Sequence, residues 1–195
     1  MIKHTIISKN NSFQSPIEVS IIIVNYNTCR MTAECINSVF DKTKDIEFEI
    51  ILIDNASTDG SKAYFEKDDR IRYIYNFENI GFGRANNLGM TVARGKYFFL
   101  LNSDTLLVNN AIKMFFDYAE ANVPVAFYGC CVEDNDGTYI HSCANLPTIK
   151  SLLNNAISPY KSKIKIDNVT SAEIPYCEDL SIKVGYITGA DLFLH

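Results

Sequence analysis

The chain has 195 residues, 47% of them hydrophobic and 21% charged, a mixture that excludes intrinsic disorder and fibrous repeats and suits one well-buried domain. Its 18 Lys and Arg are scattered and outnumbered by 23 Asp and Glu, for a formal net charge of -5. That balance excludes a phosphate-tracking surface for DNA or RNA, so any nucleotide partner should be small.

Residues 1–18 are rich in Asn, Ser and Gln without sustained periodicity and read as a loose extension. Ile6-Ile7 is too short for the hydrophobic core of a signal peptide, and no stretch approaches the ~20 consecutive apolar residues of a membrane span. A cytoplasmic protein is expected, with peripheral association at the inner membrane face left open. The six cysteines contain no C-x-x-C pair, and they are expected to be reduced and mostly buried.

From Val19 onward, short apolar runs alternate with stretches of helical period. Val19–Val24, Phe48–Ile53 and Tyr97–Leu101 are near-continuous apolar runs and predict strands buried on both faces, the mark of a parallel sheet between helical layers. Between and after them, Met31, Cys35, Val39 and Phe40 space out one helical stripe, Ala85, Leu88 and Val92 a second, and Ile112, Phe115, Phe116 and Ala119 a third. Ser57 or Thr58 can cap a helix through Ala63 and Phe65, and Gly95 stands where a left-handed C-terminal cap would follow the second stripe. After Val123 a strand-like Val125–Tyr128 and an Asp136-Gly137 turn signal predict a mixed or antiparallel region, and residues 145–182 read as a surface excursion.

Four polar clusters follow strands or open helices, which is where open α/β sheets bind ligands. In Asn25-Tyr26-Asn27-Thr28 an aromatic flanked by amides can stack on a nucleobase and read its edge, or Asn27 and Thr28 can cap a helix. In Asp54–Ser61, Asp54 can accept hydrogen bonds from a base or ribose, while Ser57 and Asp59 suit turn and capping roles. The segment Asn79–Gly89 brings Gly81 and Gly83, which open backbone N–H groups to a diphosphate, and the cation Arg84; the same glycines serve a tight turn equally well. It is not a dinucleotide fingerprint, since Asn86 stands where the third glycine belongs. In Leu101-Asn102-Ser103-Asp104, Asp104 offers a hard oxygen suited to Mg2+ or Mn2+, with Asn102 or Asp104 as a turn residue the plainer alternative.

In this order the four clusters resemble the motifs of family 2 glycosyltransferases, firmly from Val19 to Asp104 and more weakly through Gly185–Ala190. The Asn-x-Gly-Phe-Gly and Leu-Asn-Ser-Asp segments are most similar to its rhamnosyltransferase-like branch. The resemblance implies a GT-A fold over residues 19–195, a nucleoside-diphosphate sugar donor, a divalent metal, and inverting transfer to a glycan or lipid-linked acceptor in cell-surface polysaccharide synthesis. It gives Tyr26 and Asp54 to the nucleoside and Asp104 to the metal, and the expected donor contacts are Tyr26, Asn27, Asp54, Asn79, Gly81, Arg84, Asn87 and Asn102. Asp54 and Asp104 should then converge on one solvent-reachable crevice.

Two departures stand out: many members carry Asp at the position of Asn102 and Arg at that of Asn86. The family's catalytic base follows the Gly-Ala segment, here Gly189-Ala190, and the chain stops at His195. Asp191 is the acidic candidate inside the chain, close to Gly189-Ala190 for that pattern, and the expectation is a truncated piece that binds donor and transfers poorly. A sugar-phosphate nucleotidylyltransferase is the rival enzyme, disfavoured because Asn25–Arg30 contains no glycine; a non-catalytic nucleotide- or glycan-binding module is the rival from another class.

Overall fold

A computed structural model describes residues 4–7, 16–122, 127–129, 132–134, 136, 139–140, 143–144, 186–187 and 191–194. The chain forms two compact units, one of residues 1–130 with 189–195 and one of residues 131–188.

The first unit is built on a seven-stranded sheet in the order β1-β4-β3-β2-β5-β11-β6. Its centre is β2 (Val19–Asn25), β3 (Phe48–Asp54), β4 (Arg72–Asn76) and β5 (Tyr97–Asn102), all mutually parallel. β1 (His4–Ile7) and β11 (Asp191–Leu194) pair antiparallel with β4 and β5, and β6 (Phe127–Tyr128) pairs with β11. Three of the central strands coincide with the apolar runs. β4 was not anticipated, and β1 lies inside the segment read as a loose extension, where His4–Ile7 adds an edge strand to Arg72–Asn76.

Alternation along β2 sends Ile21 and Ile23 to one face and Ile22 and Val24 to the other. The first face packs against α1 (Cys29–Lys42) through Cys35, Ile36 and Val39, α2 (Ser61–Phe65) through Phe65, and α4 (Ala111–Ala121) through Ile112 and Ala119. The second face packs against α3 (Phe82–Val92) through Ala85 and Leu88. Ile21, Ile22 and Ile23 of β2 and Ile50, Ile51, Leu52 and Ile53 of β3 are each at most 1% exposed, so both strands are buried on both faces. Burying one such side chain contributes about 1.5–3 kcal/mol. The α1 stripe is rotated from the expected one: Met31 is 51% exposed and Thr32 takes its place inside, because the hydroxyl of Thr32 finds a buried acceptor in Asn25.

β11 completes the first core. Phe193, fully buried, stacks on Phe115 at a centroid distance of 5.3 Å and on Tyr97 at 5.2 Å. The second unit contains two short antiparallel pairs, β7 (Val132–Glu133) with β8 (Tyr139–Ile140) and β9 (Cys143–Ala144) with β10 (Tyr186–Ile187). The surface excursion at 145–182 and Gly137 lie outside the described residues.

Two local expectations are corrected. Gly95 is not a left-handed cap: α3 ends on an extended Ala93, and Gly95 is needed because a Cβ there would come within 2.4 Å of the Ser20 backbone nitrogen. Neither Ser57 nor Thr58 caps α2, which starts after left-handed Gly60; Asp59 Oδ1 instead accepts the Ser61 N–H at 3.1 Å. Asp59 also reaches across to α1, where its Oδ2 accepts the Cys29 N–H at 2.8 Å. Burial opposes charge on Asp59, yet the hydrogen bonds from the Ser61 hydroxyl and from the Cys29 and Ser61 N–H groups hold it below the usual carboxylate range.

Gly95→Ala should lower unfolding stability by about 1–3 kcal/mol, because backbone must move to admit the methyl; the denaturation midpoint should fall with the slope unchanged. Asp59→Asn should cost less than about 1 kcal/mol at pH 7, because the exposed side chain loses its charge and one of its two acceptor oxygens while the amide oxygen still accepts. Since the folded protein holds Asp59 more acidic than the unfolded chain does, that contribution is complete above the unfolded pKa of about 3.9. The gap in melting temperature between the two proteins should therefore close as pH falls below about 4.

Candidate functional site

The four parallel strands all end on a polar residue at one rim: Asn76 on β4, Asp54 on β3, Asn25 on β2 and Asn102 on β5. From β2 the chain moves through α1 and β3 to β4, then returns over the opposite face through α3 to β5 on the other side of β2. The boundary between β2 and β5 is thus the point where strand order reverses, and the loops leaving these two strands diverge to opposite faces.

Val24 pairs with Asn102, so Tyr26 and Asp104 each leave the sheet two residues beyond one shared pair. Tyr26 is 51% exposed, and Asp104 is exposed with no hydrogen bond or ion pair among the described residues. Asn27 adopts a left-handed φ of 57° and is exposed; its side-chain oxygen accepts the Thr58 N–H at 2.8 Å, so the cap alternative is replaced by a bridge to the next loop. Thr28 stands at the N-cap of α1 without a side-chain cap bond and donates its hydroxyl to Asn25 Oδ1 at 2.8 Å.

Asp54 lies at the expected rim, since β3 and β5 flank β2 and their ends are about 10 Å apart. Its carboxylate, however, is not solvent-reachable. Asp54 is 0% exposed, Oδ1 accepts the Ser57 N–H at 2.8 Å and Oδ2 accepts the Tyr73 hydroxyl at 2.7 Å. Burial, then the hydrogen bond to Asp54, pushes the Tyr73 hydroxyl above its ordinary range, which keeps it a donor. The expected contact of Asp54 with a nucleoside is therefore corrected to a supporting role beneath the loop that faces Tyr26 and Asn27.

The third cluster opens α3. Asn79 is exposed, and its Oδ1 accepts the Asn55 amide at 3.1 Å and the Gly81 N–H at 2.9 Å. Asn55 Oδ1 in turn accepts the Asn76 amide at 3.0 Å, so an amide ladder runs from β4 to the start of α3. Gly81, at φ 84°, turns the chain into the helix, whose first turn carries neither an acidic residue nor a side-chain cap bond. Those N–H groups are free to meet an anion. Arg84 is exposed with no partner among the described residues, and exposed Asn87 follows it three residues on along the same side of α3, while Asn86 is buried.

Asn102 is half-buried, and its carbonyl accepts the Thr105 N–H at 3.2 Å and the Cys35 thiol at 3.5 Å. Burial, and secondly the charge of Asp104, push the Cys35 thiol up to about 12, so it stays protonated and acts as an anchor. Cys35 and Cys29 are free thiols, as expected; the side chains of the other four cysteines lie outside the described residues. Asp191 opens β11 opposite Leu101, which sets its backbone at the same rim; its side chain and His195 lie outside the described residues.

The donor set fits a metal carried in by phosphate. Among the described residues no group of three His, Cys, Asp or Glu could hold an ion alone, while Asp104 offers an exposed hard oxygen two residues after Asn102. Asn25, expected with Asn27 to read a base edge, is instead buried and joins these loops, as do Asn55 and Ser103, which were not singled out from the sequence. The usable signal was an amide closing an otherwise apolar strand.

Comparison with known proteins places the chain by sequence and by fold. GlyG, a glycosyltransferase of Streptococcus pneumoniae serotype 4, is 26% identical over 73% of this chain and 51% of its own length, so the chain spans about half of it. TuaG of Bacillus subtilis (strain 168), a glycosyltransferase provisionally assigned to teichuronic acid biosynthesis, is 27% identical over 80% of this chain and 66% of its own. The mannosyltransferase PcManGT from Pyrobaculum calidifontis, solved with GDP-Man and Mn2+, superposes with a TM-score of 0.52 at 20% identity, over 62% of this chain and 37% of that one, which establishes likeness of the GT-A fold. The family model described as glycosyl transferase family 2 matches residues 20–174, and the chain belongs to that family.

Proposed function

We propose that this rim holds the nucleoside-diphosphate sugar of an inverting glycosyl transfer to a glycan or lipid-linked acceptor, at the cytoplasmic side of cell-surface polysaccharide synthesis. The observation that carries the reading is the Val24–Asn102 pair, which launches exposed Tyr26 and exposed Asp104 from adjacent strands at the point where strand order reverses. Tyr26 stacks on the base with the Asn27 amide at its edge, and Asp104 with Asn102 meets the metal end of the diphosphate. The uncapped N-terminus of α3, with Arg84 and Asn87, faces the negative charge between them, and Asn79 and Gly81 shape its approach.

The GDP-Man and Mn2+ bound by PcManGT support a nucleotide-sugar donor and a divalent ion for this fold. When bound, Mg2+ or Mn2+ stabilises charge on the departing diphosphate. Asp104 would hold that ion, with Asn102 at the donor beside it, and with one carboxylate the other ligands would have to come from phosphate and water, so metal affinity without nucleotide should be weak. Asp191 is this chain's candidate for the base that deprotonates the acceptor, on the strength of its register opposite Leu101. No described helix is long and apolar enough to cross a membrane, which is compatible with a peripheral position.

Thermal unfolding with UDP, GDP and dTDP, each with and without Mn2+, tests the site. A ligand at a hundred times its Kd should stabilise the protein by about 2.7 kcal/mol. Asp104→Ala should abolish the Mn2+-dependent part of the shift and keep the rest. An unchanged Mn2+ effect would remove Asp104 as the ligand, and the absence of any shift in the native protein would remove the donor site itself.

A further inference from the structure

One buried side chain bonds two loops of this rim directly and a third through a single partner. Asn25, the last residue of β2, is 0% exposed. Its Oδ1 accepts the Thr28 N–H at 3.2 Å, the Thr28 hydroxyl at 2.8 Å and the Thr32 hydroxyl at 3.0 Å, all from the start of α1. Its Nδ2 donates at 3.1 Å to Ser57 Oγ, in the loop after β3, and its backbone carbonyl accepts the Asn55 N–H at 2.8 Å.

Each partner extends the reach. Ser57 Oγ also accepts the Asn27 N–H at 2.9 Å, and the Ser57 N–H is the one held by Asp54. Together with the Thr58 bond to the Asn27 side chain, this fixes Asn27 in its left-handed conformation and so sets where Tyr26 stands. On the other side, Thr28 Oγ1 lies 3.2 Å from Ser103 Oγ, next in sequence to Asp104. Either hydroxyl can donate across that link.

The chemistry explains why an amide closes an otherwise apolar strand. Three donors converge on one edge of Asn25 and an acceptor waits at the other, a demand that an apolar residue cannot meet and that a carboxylate meets only on the acceptor side. Leaving these groups unpaired in a buried site is costly, so the network holds as a unit.

We propose that Asn25 is the positioning residue of the donor site, a single buried amide that couples the loop holding the nucleoside, Tyr26 and Asn27, to the loop holding the metal, Asp104. This rests on the donor-site reading for its ligands, while the coupling itself is a property of the free protein. Binding at the two ends is then not independent: loosening Asn25 weakens both and removes the advantage that metal gives the nucleotide.

Hydrogen exchange of the ligand-free protein at residues 26–29, 55–59 and 103–105 tests the coupling. Asn25→Ala should speed exchange at least tenfold in all three loops, while residues 94–96 at the opposite rim keep their rate. Ser57→Ala should loosen only the first two loops and Ser103→Ala only the third; these two variants carry the test if Asn25→Ala does not fold. Asn25→Asp, which retains the three bonds to Oδ1, should recover most of the protection.

Affinity supplies the readout that a purely structural role would leave unmoved. In titrations with UDP, GDP and dTDP, Asn25→Ala should weaken binding at least tenfold and erase the gain from Mn2+. Loosening confined to 26–29, loosening spread evenly over the sheet, or full retention of the Mn2+ gain in Asn25→Ala would overturn the proposal. If no diphosphate binds the native protein, the donor-site reading falls, and the exchange pattern still decides the role of Asn25.

Discussion

The structure depends on β2 being paired in parallel with a strand on either side. Parallel strands require crossovers, and right-handed crossovers running in opposite directions place their helices on opposite faces. Here that sends α1 to one face and α3 to the other, and the loops leaving β2 and β5 part company. A sheet covered on both faces tolerates polar groups mainly at strand ends. Asn25, Asp54, Asn76 and Asn102 stand at those ends, which is why chemistry concentrates along one edge of the molecule.

Within that edge the polar residues divide by depth. Asn25, Asp54, Asn55 and Asn76 are buried and spend their hydrogen bonds mostly on neighbouring loops, forming a platform. Tyr26, Asn27, Arg84 and Asp104 stand above it in solvent. At the opposite rim the buried polar groups pair among themselves, beneath exposed Glu47, Arg94 and Lys96. There Ser20, Glu49 and the N–H groups of Arg94 and Gly95 satisfy one another, and Gly95 lets the backbone close over them. The two rims show the same need to pair buried polar groups, with different outcomes for a ligand.

The central strands were legible in the sequence because β-branched runs such as Ile21–Ile23 and Ile50–Ile53 leave little alternative to burial on both faces. β4 was not, since Arg72-Tyr73-Ile74-Tyr75-Asn76 is short and follows charged residues, and β1 makes sense only once β4 exists to pair with it. The site was legible to the level of its loops, because polar clusters directly after apolar strands mark the ligand edge. Depth was not legible: Asp54 is enclosed by Tyr73 from a strand the periodicity does not reveal, and Met31 yields its inward place to Thr32 because of an acceptor on another element.

The position of β11 has a kinetic consequence. Phe193 packs between Tyr97 and Phe115, yet Phe99, its partner across the ladder, is about ninety residues earlier in the chain. Contacts between such distant segments form late, because the entropy of closing the intervening loop is lost before the contact repays it. On the ribosome, the β2–β3–β4–β5 body can assemble while its aromatic flank is still open, and the side of β5 that β11 will occupy remains an unpaired strand edge until β11 emerges. That interval is when this protein is most exposed to association with other chains.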